Sequence, residues 1–141
     1  MNAKQPLNQQ GRAPYSGTIK NFSKERYISS DWYGREWRTV WSKSWIAAVH
    51  VSDLQTPGDY TVFDLGSESV LLSCDAKGQV QAFYNVCQHR GVRLVNDHHG
   101  NTDTFRCPYH SWRYGNDGQL TYAPHQDGFQ QGLPLQKICL P

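Results

Sequence analysis

Along the chain, apolar and polar positions change period once. Over residues 29–42 the apolar positions Tyr33, Trp37, Val40 and Trp41 recur at i, i+4, i+7 and i+8, the spacing of one helical face, and Ser29 or Ser30 supplies an N-cap. The spacing predicts a helix over 29–42 whose aromatic stripe packs against a sheet. From Trp45 onward the period shortens. The segments WIAAVHV, DYTVFDL, SVLLSC and QVQAFYN alternate or run apolar over strand length, separated by TPGD, GSE and DAKG, which carry turn chemistry. SVLLSC-DAKG-QVQAFYN is the clearest hairpin. Further strands are expected at DTFRC, SWRYG and QLTYA, with Gly115, Asn116, Asp117 and Gly118 turning the chain between the last two. Short strands at this spacing predict an antiparallel β-sandwich or barrel behind a short amphipathic helix.

The chain has 141 residues, 38% of them hydrophobic, room for one globular domain and not for a second large one. Fourteen basic against twelve acidic residues leave a net charge of +2, too balanced for a nucleic-acid binder. The longest apolar run is WIAAV at 45–49, far short of the roughly 20 residues that cross a bilayer. The amino-terminal stretch is rich in Gln, Asn, Pro and Gly and has no apolar centre, so residues 1–20 are expected to be a mobile polar arm rather than a secretory signal. The expected location is the cytoplasm. In a reducing compartment the four cysteines, Cys74, Cys87, Cys107 and Cys139, point to metal binding before disulfides.

The chemistry is concentrated in NVCQHRGVRLVNDHHGNTDTFRCPYHSWRYGNDG, where Cys87-x-His89 precedes Cys107-x-x-His110. Each pair follows a predicted strand end, so two loop tips on neighbouring strands can close on one metal centre. Two plain readings of these four residues are a Cys₂His₂ zinc site and a Cys87–Cys107 disulfide. Structural zinc sites usually group Cys with Cys and His with His, unlike this alternating order, and a disulfide leaves both histidines without a purpose.

CQHRG followed by CPYHSW resembles the Rieske motif, C-x-H-R-G with C-P-Y-H-x-W, in the amino-terminal domain of the large subunit of Rieske non-haem iron, aromatic-ring-hydroxylating oxygenases. FYNVC, GNTDTFRC and RYGNDGQL resemble the same family, so the likeness extends over residues 27–141. It implies a Rieske-type 2Fe-2S fold in which Cys87 and Cys107 hold one iron and His89 and His110 the other. It divides the chain into a helical lead-in at 21–44 and the cluster domain at 45–141, with the carboxyl-terminal catalytic domain absent. Two thiolates neutralise the oxidised core where four would leave it doubly negative. His ligation accordingly raises the potential to roughly −150 to +300 mV, from about −400 mV for plant-type centres.

Respiratory Rieske proteins carry an extra cysteine in each loop and a hydroxyl two residues after the second His. Here those positions are Val92, Tyr109 and Trp112, which implies fewer hydrogen bonds to the cluster and a potential low in the Rieske range. No residue is expected to be catalytic. The family's second, mononuclear iron takes two His and a carboxylate, and His50 and His125 have no His at a matching spacing.

The resemblance implies one-electron transfer from a reductase or ferredoxin to a catalytic iron outside this chain, in the same or a neighbouring subunit. A stand-alone Rieske ferredoxin is the alternative, disfavoured by the Trp-rich helix, and a structural zinc module is weaker. No nucleic acid or membrane partner is expected. His98 and His99 read as a solvated loop pair. Cys74 and Cys139 read as small buried residues. Tyr109, Trp112 and Tyr114 are expected to pack beneath the loops. Arg90, Arg93, Arg106 and Arg113 form either a solvated surface or a patch that steers an acidic donor.

Overall fold

The computed structural model describes residues 23–128 and 132–141. The polar arm expected at 1–20 lies outside them. The chain divides into two compact units, Met1–Ser44 and Trp45–Pro141.

In the first unit a short helix α1 (Glu25–Ile28) precedes α2 (Ser30–Thr39). Ser29 caps α2: its backbone is extended and its side chain accepts from the Trp32 amide at 3.4 Å, satisfying one of the amides a helix start leaves without a partner. The Trp32 indole N–H donates to Glu36 one turn on, at 3.1 Å. The helix ends earlier than the 42 the spacing predicts, because Val40 leaves helical dihedrals (φ −120°, ψ −69°) and a 3₁₀ turn, Trp41–Lys43, follows. No residue of α2 is buried, and Tyr33 is half exposed.

The second unit holds two antiparallel sheets. Strands β1 (Asp59–Leu65), β2 (Glu68–Cys74), β3 (Val80–Tyr84) and β4 (His99–Asn101) form one sheet in the order β3-β2-β1-β4. Strands β5 (Thr104–Arg106), β6 (Arg113–Gly115) and β7 (Leu120–Tyr122) form the other. The predicted hairpin is β2–β3, registered Val70 opposite Tyr84 and Cys74 opposite Val80. Its turn is fixed by the Asp75 carboxylate, which accepts from the amides of Lys77 (2.9 Å) and Gln79 (2.8 Å).

Two elements differ from the sequence expectation. WIAAVHV is not a strand: the chain runs unpaired to a 3₁₀ turn at Val51–Asp53. Its apolar character serves packing instead, as Ala48 and Val49 lie against Leu54, Leu72 and Cys74. Conversely, NDHHGN contains β4, which pairs with β1 through Gly100 opposite Tyr60. Glycine is required there, since a Cβ would stand 2.7 Å from the Tyr60 hydroxyl.

The core lies between the sheets. Tyr60, Val62, Leu71 and Phe83 come from the first, and Phe105, Tyr114 and Leu120 from the second. Tyr60 and Phe105 meet edge to face, centroids 5.5 Å apart, the geometry aromatic quadrupoles favour. The chain end ties the layers together: Leu140 N–H donates to Gly118 C=O (2.9 Å) and Tyr84 N–H to Pro141 C=O (2.7 Å). Cys74 is buried as expected, but Cys139 is exposed, because Leu140 is the residue turned inward.

Candidate metal centre

Two loops leave the sheets with the same backbone design. The first, residues 87–92, follows β3, and the second, 107–112, joins β5 to β6. In the first, Gly91 N–H donates to Cys87 C=O (2.9 Å) and Cys87 N–H to Val92 C=O (2.8 Å). In the second, Ser111 N–H donates to Cys107 C=O (3.1 Å) and Cys107 N–H to Trp112 C=O (2.8 Å). Each loop thus closes on its leading cysteine and turns through a left-handed fifth residue, Gly91 at φ 67° and Ser111 at φ 61°. A Cβ at Gly91 would meet nothing within 4 Å, so its backbone angle alone explains the glycine.

The loops bring the four candidate ligands together as two pairs. Cys87 and Cys107 are both buried, and they are close enough for Cys107 to add to the upward shift of the Cys87 thiol. Burial pushes the Cys87 thiol up, and a hydrogen bond from Tyr114 works the other way. The rings of His89 and His110 meet edge to face at 4.6 Å. His89 stacks flat on Trp112, centroids 4.8 Å apart and planes within 7°. Burial, then the nearby His110 and Arg90, lower the His89 pKa and favour its neutral form, the one that binds metal.

The Nδ1 atoms of His89 and His110 are buried and have no hydrogen-bond partner among the described residues. Leaving a buried polar atom unpaired costs roughly 1–3 kcal/mol, so two side by side call for a partner beyond the described residues. Among the described residues no three His, Cys, Asp or Glu side chains gather around one ion position. The donors form a thiol pair, Cys87 beside Cys107, and an imidazole pair, His89 against His110.

Tyr114 is the residue whose function the sequence did not disclose. It packs beneath the loops, as expected, and is fully buried. Its hydroxyl lies 3.4 Å from Cys87 Sγ and accepts from the Gln88 amide at 3.1 Å. Occupied by that amide, the oxygen has its own proton to give to sulfur. Burial and the Cys87 contact raise the Tyr114 pKa well above its ordinary value, so the hydroxyl stays a donor. Trp112 is buried as expected, whereas Tyr109 is not beneath the loop: it is 56% exposed, with its ring 3.7 Å from that of His110.

The four arginines are not equivalent. Arg93 grips Asp64 on β1 through two hydrogen bonds, 3.1 and 3.0 Å, and donates through Nε to Val95 C=O, strapping the first loop to the sheet. Arg106 donates to Ser111 Oγ at 2.9 Å, and the Arg113 guanidinium lies 5.0 Å from the centroid of the Tyr122 ring. Arg90 alone of the four is exposed without such a contact. His98 and His99 are exposed, with His99 on β4. His50 caps the 3₁₀ turn, its Nδ1 accepting from the Ser52 amide. His125 lines a cavity of about 410 Å³ with His89, His110, Ser111, Trp112 and Pro124. No Cys or His spacing announces that placement.

A two-sheet β domain that presents a Cys/His pair on each of two matched loops is an iron-sulfur domain of the Rieske class. The chain belongs to the Rieske [2Fe-2S] domain family, whose model matches residues 44–136. It is 38% identical over 108 residues to the large oxygenase component of the naphthalene 1,2-dioxygenase system of Pseudomonas fluorescens, covering 77% of this chain and 24% of that protein. It is 35% identical over 114 residues to the large oxygenase component of the 2,4-dinitrotoluene dioxygenase system of Burkholderia sp. (strain RASC), covering 81% and 25%. Naphthalene 1,2-dioxygenase from Rhodococcus sp. superposes with a TM-score of 0.74 at 29% identity, over 79% of this chain and 26% of that one. A quaternary ammonium Rieske monooxygenase does so at 0.73 and 32%, over 85% and 34%. The chain therefore spans about a quarter of the length of the curated relatives it matches. No helix among the described residues is long and apolar enough to cross a membrane.

Proposed function

We propose that Cys87 and Cys107 hold one iron of a Rieske 2Fe-2S cluster and His89 and His110 the other, and that the chain relays single electrons. The donor in this reading is a reductase or ferredoxin, and the acceptor is a catalytic non-haem iron held outside this chain by the oxygenase to which the domain belongs. The observation that carries the reading is the pair of buried, partnerless Nδ1 atoms beside a buried pair of thiols. Bound there, the cluster supplies a store for one electron at a potential set by its ligands.

The chain's own residues set the conditions for that store. Trp112 and Tyr114 keep water from the thiol side, being 6% and 0% exposed. Trp112 fixes the plane of the His89 ring by stacking, and Tyr114 holds a proton toward Cys87 Sγ. With Nδ1 committed to metal, each imidazole keeps its proton on Nε2, so the rings are short, polar paths to the surface. The domain in this reading occupies residues 45–141, with 21–44 as its lead-in. All four cysteines are free thiols, which suits the reducing cytoplasm where we place the protein.

Purification without oxygen, followed by iron, acid-labile sulfide and zinc analysis and by EPR after dithionite reduction, tests the reading. Two irons and two sulfides per chain, with the low average g value of His-ligated clusters, are expected. Stoichiometric zinc without iron would refute it.

A further inference from the structure

Tyr60 carries a hydroxyl that its packing does not use. The residue is 9% exposed and its ring meets Phe105 edge to face, a contact that a phenylalanine would make equally well. The hydroxyl has no hydrogen-bond partner among the described residues, although a buried polar group left without one is costly. Gly100 on β4 makes room for it, since any side chain there would run into that oxygen, and glycine inside a strand weakens the strand. Two positions thus serve an oxygen that nothing in the described fold satisfies.

Tyr60 lines a cavity of about 310 Å³ bounded by β1, by the segment that follows the first loop and by β5, far more space than one bridging water needs. Leu94, Phe105 and Pro108 give it an apolar wall, and Asn96, Asp97 and Thr104 give it polar groups. The Asp97 carboxylate makes no hydrogen bond or ion pair among the described residues. Burial, and after it the nearby Asp97 charge, raise the Tyr60 pKa, so the phenol stays neutral beside the carboxylate. Arg106 also lines this space, but its guanidinium donates to Ser111, which lines the separate cavity beside His89 and His110. The charge without a partner here is therefore negative.

Such walls suit a group that only donates, carried on an apolar stem. An ammonium has three N–H donors and no acceptor. Asp97, the Tyr60 oxygen and the Asn96 carbonyl oxygen can accept all three, while a short aliphatic stem lies along Leu94 and Pro108, as lysine stems do on apolar surface. A carboxylate in the same place would face Asp97. We propose that this cavity binds a primary alkylammonium group, the chemistry shared by a lysine side chain and a free amine. The inference uses none of the residues assigned to the cluster and does not depend on what those residues hold.

Saturation-transfer NMR titrations of the cluster-loaded chain with n-butylammonium, n-butanol and butyrate test it. Saturable binding of n-butylammonium is expected, with the neutral and anionic probes at least tenfold weaker. Asp97→Asn should weaken n-butylammonium binding on the order of tenfold or more, the effect of a lost charge-assisted hydrogen bond. Tyr60→Phe should weaken it on the order of 3–10-fold and melt no lower than wild type, because the fold loses no internal hydrogen bond; a hydroxyl with a structural role would lower the melting temperature. The peptide acetyl-Gly-Lys-Gly-amide separates the two sources: binding as tight as that of n-butylammonium assigns the site to a lysine on a partner protein, and binding of the free amine alone assigns it to small amines. Absence of saturable n-butylammonium binding, butyrate bound as tightly, undiminished binding in either variant, or a lower melting temperature in Tyr60→Phe would overturn the inference.

Discussion

Replacing Tyr114 with Phe removes one oxygen from the centre of the domain and leaves its shape. The wild-type hydroxyl donates to Cys87 Sγ at 3.4 Å and accepts from the Gln88 amide at 3.1 Å. A hydrogen bond to a thiolate ligand stabilises the cluster more after it has gained an electron, because sulfur then carries more negative charge. A net value of about 1 kcal/mol for the bond corresponds to about 40 mV for a one-electron couple, for which tenfold is 59 mV. Tyr114→Phe is therefore expected to lower the reduction potential by about 40 mV, measured by spectroelectrochemical titration of the loaded chain. The ring is retained, so iron and sulfide content should stay at wild-type levels. The orphaned Gln88 amide should cost on the order of 1 kcal/mol of stability. A variant that assembles a full cluster with an unshifted potential would refute the claim that the hydroxyl donates to the cluster's sulfur ligand.

Three further substitutions probe the centre and its support. His110→Cys, where a cluster still assembles, should lower the potential by on the order of 100 mV as a neutral ligand becomes anionic; an unchanged value would remove His110 from the ligand set. Cys87→Ser should abolish the cluster and lower the melting temperature, since metal binding and folding are coupled at such sites, and full iron content would contradict the assignment. Arg93→Ala should release the first loop at a cost of about 0.5 kcal/mol, a discounted figure because both partners are over a third exposed. The Arg93 hydrogen bonds hold Asp64 below the ordinary carboxylate range, so their contribution is complete above that range and lost as pH falls through the lowered value. Thermal melts of wild type and Arg93→Ala should therefore draw closer in acid, leaving the part owed to the Nε–Val95 bond, and a gap that does not narrow there would refute the ion-pair explanation.

The sequence disclosed what depends on spacing. Cys87-x-His89 and Cys107-x-x-His110 stood out because the residue types are rare and their separation is local. The β2–β3 hairpin stood out because DAKG carries its own turn chemistry. What it concealed depends on partners distant in the chain. β4 is three polar residues made into a strand by β1, and WIAAVHV has the pattern of a strand but no neighbour to pair with. Ser111 gives no sign in sequence of a left-handed backbone, which appears only beside Gly91 in the matched loop. Tyr114 reads as core until its hydroxyl is placed at Cys87, 27 residues away. The helix was legible, but its end was not, since Val40 continues the apolar stripe while its dihedrals break the turn.

The order of the strands has a bearing on how such a centre is filled. In each sheet the principal pairings join strands consecutive in sequence, β1 with β2 with β3 and β5 with β6 with β7, and contacts this local form early and quickly during folding. The two loops, by contrast, belong to different sheets. A newly made chain can therefore raise both walls of the site from local pairings, and on the proposed reading iron and sulfide would enter a socket whose walls already meet across the shared core.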